Sequence, residues 1–132
     1  MNVRDWLHVG DHCAALWAVL TKGTPGETYN IGGHNEKANL HLVQLICDFI
    51  DEMKPGLGGG SRHLITFVPD RPGHDRRYAI DASKLKTELG WEPSIRAEEG
   101  FRQTAQWYLN NENWLEHVLT GAYQAYYNEQ YR

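Results

Sequence analysis

The sequence has few cysteines, no long apolar stretch and no excess of positive charge, and each shortage excludes a class of protein. Only two of its 132 residues are cysteine, which is too few for a disulfide framework. No apolar run approaches the ~18 residues of a membrane span, and the first residues do not begin a signal peptide. The formal charge of −4 disfavours a general nucleic-acid-binding protein. We therefore expect a cytoplasmic protein with no nucleic-acid and no membrane partner.

The composition that remains is that of one globular domain over residues 1–132. Apolar residues make up 41% and charged residues 23%, which argues against disorder. A chain of this length buries roughly two-thirds of its unfolded surface, so it needs neither a metal nor a disulfide. Cys13 and Cys47 lie among apolar neighbours, and we expect both to be reduced thiols in the core.

Hydrophobic periodicity predicts short strands that alternate with helices. Strands are predicted over 4–9, 27–31 and 64–68, with an extended segment over 78–80. Helices are predicted from an N-cap at Asp11 to Lys22, from Asn39 to Pro55, from a cap at Asp81 or Ser83 to Gly90, and from Pro93 and Ser94 onwards, with shorter helices to the end. The order indicates an α/β fold with a helical tail.

Aromatic residues are concentrated in the last 26 positions. The cluster comprises Trp107, Tyr108, Trp114, Tyr123, Tyr126, Tyr127 and Tyr131. Such a cluster packs against something, either the core or a partner. The apolar stripe of Leu16, Val19 and Leu20 on the first predicted helix has the same two interpretations.

Two patterns are similar to functional motifs, but each is weak evidence for the function. The glycine-rich segment 56–61 superficially resembles a dinucleotide-binding turn, but it follows a predicted helix and precedes a predicted strand, the reverse of what that turn needs. We interpret it as a flexible loop. His8 and His12 are four residues apart, but His8 lies in a predicted strand and no third ligand is evident, so we predict no metal site.

The segment 70–78, Asp-Arg-Pro-Gly-His-Asp-Arg-Arg-Tyr, is locally basic in an acidic chain. Pro72 and Gly73 predict a turn from which Arg71 and His74 project, and guanidinium groups suit phosphate oxygens. A solvated charged turn with arginine–aspartate pairs is equally compatible with the spacing.

Two other positions carry the same ambiguity. Arg4 beside Trp6 suits either a nucleotide or a surface pair. Asn39 is most simply a helix N-cap, although an amide at a helix start also suits a ligand.

Seven segments together resemble the dTDP-glucose 4,6-dehydratases, a family of extended short-chain dehydrogenase/reductases. They are Arg-Asp-Trp-Leu-His-Val at 4–9, Tyr-Asn-Ile-Gly-Gly at 29–33, Asn-Glu-Lys-Ala-Asn-Leu at 35–40, the 70–78 segment continuing to 81, Leu-Gly-Trp-Glu-Pro at 89–93, Trp-Tyr-Leu at 107–109 and Gly-Ala-Tyr-Gln at 121–124. The resemblance covers the whole chain but only the C-terminal, substrate-binding part of the family, without a complete Rossmann domain.

The resemblance implies an NAD-dependent lyase that converts dTDP-glucose to dTDP-4-keto-6-deoxyglucose. The family's glycine-rich NAD loop and its catalytic residues have no counterpart here, and no tyrosine lies four residues before a lysine. We therefore expect no catalytic residue and no bound cofactor in this chain, although the full-length family uses NAD.

The resemblance also implies the residues that contact the nucleotide sugar. It assigns them to Arg4, Asn39, Tyr131 and the loop of Asp70, Arg71, Pro72, Gly73 and His74, with Arg71 and His74 on the diphosphate. We expect a truncated dehydratase that binds dTDP or a dTDP-sugar weakly. Its expected partners are further copies of itself or a separate NAD-binding half. The alternative is a non-catalytic, self-associating or helper module derived from that enzyme.

Overall fold

The computed structural model describes residues 2–56, 60–70, 72–119 and 121, and this part of the chain is α/β. Its elements in chain order are β1 (Val3–Asp5), α1 (Val9–Lys22), β2 (Glu36–Ala38), α2 (Asn39–Met53), a 3₁₀ helix (Ser61–Leu64), α3 (Ser83–Leu89), α4 (Ala97–Asn110) and α5 (Glu112–Leu119). The fold class predicted from the sequence, short strands followed by a helical tail, is confirmed.

The two strands form an antiparallel pair that joins distant parts of the chain. Their register pairs Val3 with Ala38, Arg4 with Lys37 and Asp5 with Glu36. Along the other edge of β1, the Val3 N–H donates to the carbonyl of Arg76 at 2.8 Å, and the Tyr78 N–H donates to the carbonyl of Val3 at 3.1 Å. β1 therefore lies between β2 and the loop that contains residues 76–78.

The core is small and lies between the helices. Its buried apolar side chains are Ala15, Leu42, Phe49, Ala82, Leu85 and Ala105. Leu42 and Phe49 are seven residues apart on α2, so they share one helical face, and that helix packs against α4. Arg102 of α4 lies over the ring of Phe49 at 4.5 Å and extends this contact.

Two of the predicted strands do not form, and the one predicted over 4–9 is shortened to Val3–Asp5, because α1 already begins at Val9. Residues 27–31 are not a strand but are held by side chains: Lys84 bonds Glu27 at 2.6 Å, and the Tyr29 hydroxyl donates to Glu88 at 2.9 Å. Residues 64–68 follow the 3₁₀ helix without forming a strand, and Phe67 is 79% exposed. Beside the extended segment predicted over 78–80, Arg77 forms a bridge to Val3, but residues 78–80 belong to no strand. β-branched and aromatic residues favour a strand only where a partner strand is present.

The helix starts differ from the predictions because two polar side chains have tertiary partners. His8, not Asp11, is the N-cap of α1, and its Nδ1 accepts the N–H of Gly10 at 3.1 Å. Asp11 is buried and accepts from the backbone N–H groups of Ser94 (3.1 Å) and Ile95 (2.9 Å). The Ser94 hydroxyl also donates to Asp11, at 2.8 Å, and α4 starts only at Ala97.

The helix ends, by contrast, follow the predicted signals. Gly23 ends α1, and Gly90 ends α3 in the left-handed conformation with φ 68°. At the start of α3 the prediction is wrong: the N-cap is Ala82, not Asp81 or Ser83, although Asp81 accepts the N–H of Ser83 at 2.9 Å. The prediction of two core thiols is wrong for Cys13, which is exposed on α1, whereas Cys47 is half-buried.

Candidate functional site

Arg4 on β1 is held in place by neutral groups. Its Nη2 lies 2.7 Å from Nε2 of His74 and donates to the carbonyl of Asp75 at 3.1 Å, and its Nη1 donates to the carbonyl of Val3 at 2.7 Å. The guanidinium also lies over the ring of Tyr78, 4.3 Å from its centroid. Among the described residues no carboxylate lies within ion-pair distance of Arg4, so its charge is positioned without being neutralised.

His74 connects Arg4 to an acidic side chain. Because arginine only donates, Nε2 of His74 must accept, which leaves the ring proton on Nδ1. Nδ1 lies 2.6 Å from an Asp70 carboxylate oxygen. The hydrogen-bond partners therefore assign the neutral ring with its Nδ1 proton directed at Asp70, and they fix the orientation of the imidazole.

The loop that carries His74 turns as the sequence predicts. Pro72 and Gly73 form a turn in which Gly73 has φ 71°, a conformation that favours glycine. The turn brings Asp70 and His74 together four residues apart. Arg77 of the same loop forms an exposed ion pair with Glu36 at 3.3 Å, so part of the local charge is a solvated pair. Arg71 lies outside the described residues, as does Tyr131.

Asn39 is the first residue of α2 and does not cap it. The N-cap is Ala38, and the Asn39 backbone N–H donates to the carbonyl of Asn2 at 2.9 Å. The side-chain oxygen of Asn39 is buried and has no hydrogen-bond partner in the described part of the chain. An unpaired buried acceptor costs about 1–3 kcal/mol, so this oxygen is a candidate acceptor for a ligand donor.

Asn2, which the sequence analysis did not single out, joins the parts of the cluster. Its carbonyl accepts from Asn39, and its side-chain Nδ2 donates to Asp70 at 3.2 Å and lies 3.1 Å from Nδ1 of His74. The structure thus gathers Arg4, Asp70 and His74 at the start of β1, and connects them to Asn39 through Asn2. No sequence signal other than proximity to Arg4 marks this residue.

An aromatic cleft of about 750 Å³ lies beside the other end of β1. Its aromatic lining consists of Trp6, Phe101, Trp107, Tyr108 and Trp114. Trp6 meets Phe101 edge-on at 5.9 Å and donates its indole N–H to the carbonyl of Lys37, so the interpretation of Trp6 as part of a surface pair is wrong. Trp107 and Trp114 meet edge-on at 5.1 Å. The aromatic residues from Tyr123 onwards lie outside the described residues.

The glycine-rich segment does not fit NAD. In its described part, the Ser61 N–H donates to both Asp51 carboxylate oxygens, at 2.9 and 2.8 Å. A phosphate at this position would meet that negative charge. The segment leads from α2 into a 3₁₀ helix, whereas a dinucleotide-binding turn leads from a strand into a helix. The strand predicted over 64–68 does not follow it: the 3₁₀ helix ends at Leu64, and residues 65–68 form no regular element.

The described residues contain no group of three or more side chains arranged to hold a metal ion. The same part of the chain has no helix long and apolar enough to cross a membrane.

The sequence and the fold match a family of nucleotide-sugar dehydratases. The sequence profile of the GDP-mannose 4,6 dehydratase family matches residues 1–104. The chain therefore belongs to this family. Within it the sequence is similar to dTDP-glucose 4,6-dehydratase from Escherichia coli, with 56% identity over 130 residues that cover 98% of this chain and 36% of the relative.

Solved structures show the same relationship. The dTDP-glucose 4,6-dehydratase of Bacillus anthracis in complex with NAD has 50% identity and a TM-score of 0.74. DesIV of Streptomyces venezuelae, a dTDP-glucose 4,6-dehydratase with NAD and TYD bound, has 37% identity and a TM-score of 0.75. Both alignments cover 86% of this chain and 33% of the solved chain. The resemblance predicted from the motifs is confirmed, and the chain spans about a third of the length of these relatives.

Proposed function

We propose that this chain is the dTDP-sugar-binding part of a dTDP-glucose 4,6-dehydratase, a cytoplasmic lyase. Arg4, Arg71 and His74 contact the diphosphate, and Asn39 accepts a hydrogen bond from the nucleotide. Asp70, Pro72 and Gly73 shape the loop, and Tyr131 lies near the nucleotide as the family resemblance implies. We expect dTDP to bind weakly, because this chain spans only about a third of the length of its relatives and so supplies only part of their site.

The observation that carries the proposal is the positioned guanidinium of Arg4, which has no carboxylate partner in the described part of the chain. Val3, His74 and Asp75 use three of its five N–H groups, and the other two have no acceptor among the described residues. Two other arginines are instead paired with carboxylates: Arg62 with Asp48 at 2.5 Å and Arg102 with Glu52 at 2.7 Å. A guanidinium already held in place loses little entropy on binding a diphosphate.

The test is a calorimetric titration of the purified chain with dTDP and, in parallel, with thymidine. Binding is expected for dTDP and not for thymidine, because the diphosphate supplies a negative charge opposite the guanidinium of Arg4, and thymidine does not. Arg4→Ala should abolish the preference, whereas Arg62→Ala, which removes an arginine that pairs with a carboxylate, should leave it unchanged. Equal heats for dTDP and thymidine would reject the proposal.

Catalysis of the kind the relatives carry out would need an NAD site and catalytic residues that this chain is not expected to supply. The described part of the glycine-rich segment is occupied by Asp51, and the whole sequence has no tyrosine placed four residues before a lysine. The proposed partner is therefore a separate NAD-binding half, or further copies of this chain.

The second candidate is a non-catalytic helper or self-associating module, and the surface of α1 favours it. Leu16 is 51%, Trp17 66% and Leu20 77% exposed, on a helix whose central turns carry no charge on that face. Contiguous apolar surface of this kind normally meets a partner.

A further inference from the structure

Asp5 follows Arg4 on β1 and holds a different part of the chain. Its Oδ2 accepts the backbone N–H of Gly33, and its Oδ1 accepts that of Asn35, both at 2.8 Å. Successive strand residues point to opposite faces, so Arg4 contacts the 74–78 loop while Asp5 contacts the turn at 32–35. Asp5 has no place in the proposed ligand contacts.

The turn at 32–35 is shaped closely around β1. A Cβ on Gly33 would lie 2.2 Å from the carbonyl oxygen of Trp6, and one on Gly32 would lie 2.9 Å from Oδ2 of Asp5. Neither position has room for a larger residue. His34 completes the turn with φ 50°, in the left-handed region. The Asp5 carboxylate thus holds a turn whose backbone packs so closely against the strand that it has only one position there.

This turn determines where β2 lies and therefore where α2 begins. Asp5 pairs with Glu36 at one end of the ladder, and beyond its other end the Asn39 N–H reaches the carbonyl of Asn2. A pair of three-residue strands is marginal by itself, and a slip of one residue would reverse the direction of every side chain. The ladder needs an anchor that sets its register.

We propose that Asp5 is a positioning residue of the ligand site: by anchoring the turn it sets the register of β2 against β1, and so the placement of Asn39 relative to Arg4. The inference rests on the proposed function for what Arg4 and Asn39 bind. The dependence of Asn39 on Asp5 is a property of the free chain.

Asp5→Asn tests this, because an amide accepts one backbone N–H and presents its own N–H to the other. The matched control is Asp11→Asn, which changes a carboxylate on α1 that also accepts two backbone N–H groups, those of Ser94 and Ile95, in a segment that does not lead to Asn39. Amide hydrogen exchange at Asn39 should become at least tenfold faster in Asp5→Asn, with the interior of α2 unchanged. Asp11→Asn should leave the exchange rate of the Asn39 amide unchanged.

The affinity for dTDP is the second readout. It should fall at least tenfold in Asp5→Asn and not in Asp11→Asn.

An engineered disulfide between β1 and β2 provides a second test in case Asp5→Asn folds poorly. Since Asn2 and Asn39 are a hydrogen-bonded pair, Val3 and Ala38 form the adjacent, closer pair, whose spacing suits a disulfide. Adding Val3→Cys with Ala38→Cys should restore Asn39 protection in the oxidised Asp5→Asn chain and not in the reduced one.

The two proposals fail separately. Unchanged exchange at Asn39 in Asp5→Asn, or absence of rescue by the oxidised disulfide, overturns the role of Asp5. If the unmodified chain does not bind dTDP, the proposed function fails, and exchange at Asn39 still decides the role of Asp5.

Discussion

Nη2 of Arg4 lies 2.7 Å from Nε2 of His74, although the two residues are 70 positions apart. The same histidine ring contacts Asp70 through its other nitrogen. The contact gives the arginine one orientation and gives the ring one tautomer. It is the point at which the start of β1 and the 70–78 loop become one site.

The first prediction concerns this contact. We expect Arg4→Ala and His74→Ala each to destabilise the chain, and the double variant to cost less than the sum of the two. The shortfall should be about 0.5–3 kcal/mol, the range for residues in direct contact. Urea unfolding of the four proteins measures it. Strict additivity would show that the two side chains act independently.

The second prediction concerns Arg71, which the proposal assigns to the diphosphate. Arg71→Ala should lower the affinity for dTDP by on the order of 1.5–3 kcal/mol, the value of a charge-assisted hydrogen bond. Isothermal titration measures the change. The control is Arg62→Ala, whose partner Asp48 lies on α2. Unchanged affinity in Arg71→Ala rejects this assignment.

The third prediction concerns Asp11 and pH. Burial by itself raises the pKa of this carboxyl, but hydrogen bonds from Ile95 and Ser94 outweigh it, and the pKa is lowered overall. A carboxyl whose pKa is lower in the folded state stabilises the fold above its unfolded pKa of about 4 and loses this contribution as the pH falls through the folded pKa. Unfolding free energy measured between pH 7 and 2 should therefore fall less steeply in Asp11→Asn than in the unmodified chain.

Asp11→Ala should also cost at least about 2 kcal/mol at neutral pH, because it leaves the donors of Ser94 and Ile95 without their acceptor. Asp48→Ala removes an exposed ion pair and should cost only about 0.2–1 kcal/mol. Similar losses for the two variants would contradict the structural role of Asp11.

The fourth prediction concerns self-association through α1. The chain should sediment as a dimer or larger species at high micromolar concentration, and Trp17→Glu with Leu20→Glu should shift it towards the monomer. Charges in an apolar contact are costly to bury. Phe67→Glu changes an equally exposed apolar residue away from α1 and should have no effect. A monomeric unmodified chain would contradict the prediction.

The fifth prediction concerns catalysis. The purified chain, supplied with NAD and dTDP-glucose, should form no dTDP-4-keto-6-deoxyglucose and retain no NAD, because the glycine-rich NAD loop and the catalytic residues that the family resemblance implies have no counterpart in its sequence. Absorbance of bound NAD and product analysis measure the two. Adding the other two-thirds of the Escherichia coli relative as a separate polypeptide should restore turnover if the chain is the binding half. A helper module would leave that mixture inactive.

Local signals were sufficient for much of the fold and for part of the site. The glycines that end α1 and α3 were recognised correctly because each depends on backbone geometry within a few residues. The turn at Pro72 and Gly73 was predicted for the same reason. Successive motifs then identified the family, which the profile and the relatives confirm.

Only the tertiary structure decided how distant polar side chains are used. Asp11 and Asn39 each had the chemistry of a helix cap, but Asp11 binds a loop more than eighty residues away, and the Asn39 oxygen is buried without a partner in the described chain. The strand at 36–38 forms because β1 lies beside it, whereas 27–31 and 64–68 have the composition of strands and form none. The glycines that end helices and the turn at Pro72 and Gly73 are local features, so the sequence by itself determined them, whereas it did not determine the N-caps. Strand pairing and the partners of buried polar groups depend on which distant segments meet, and that is settled only when the chain is folded.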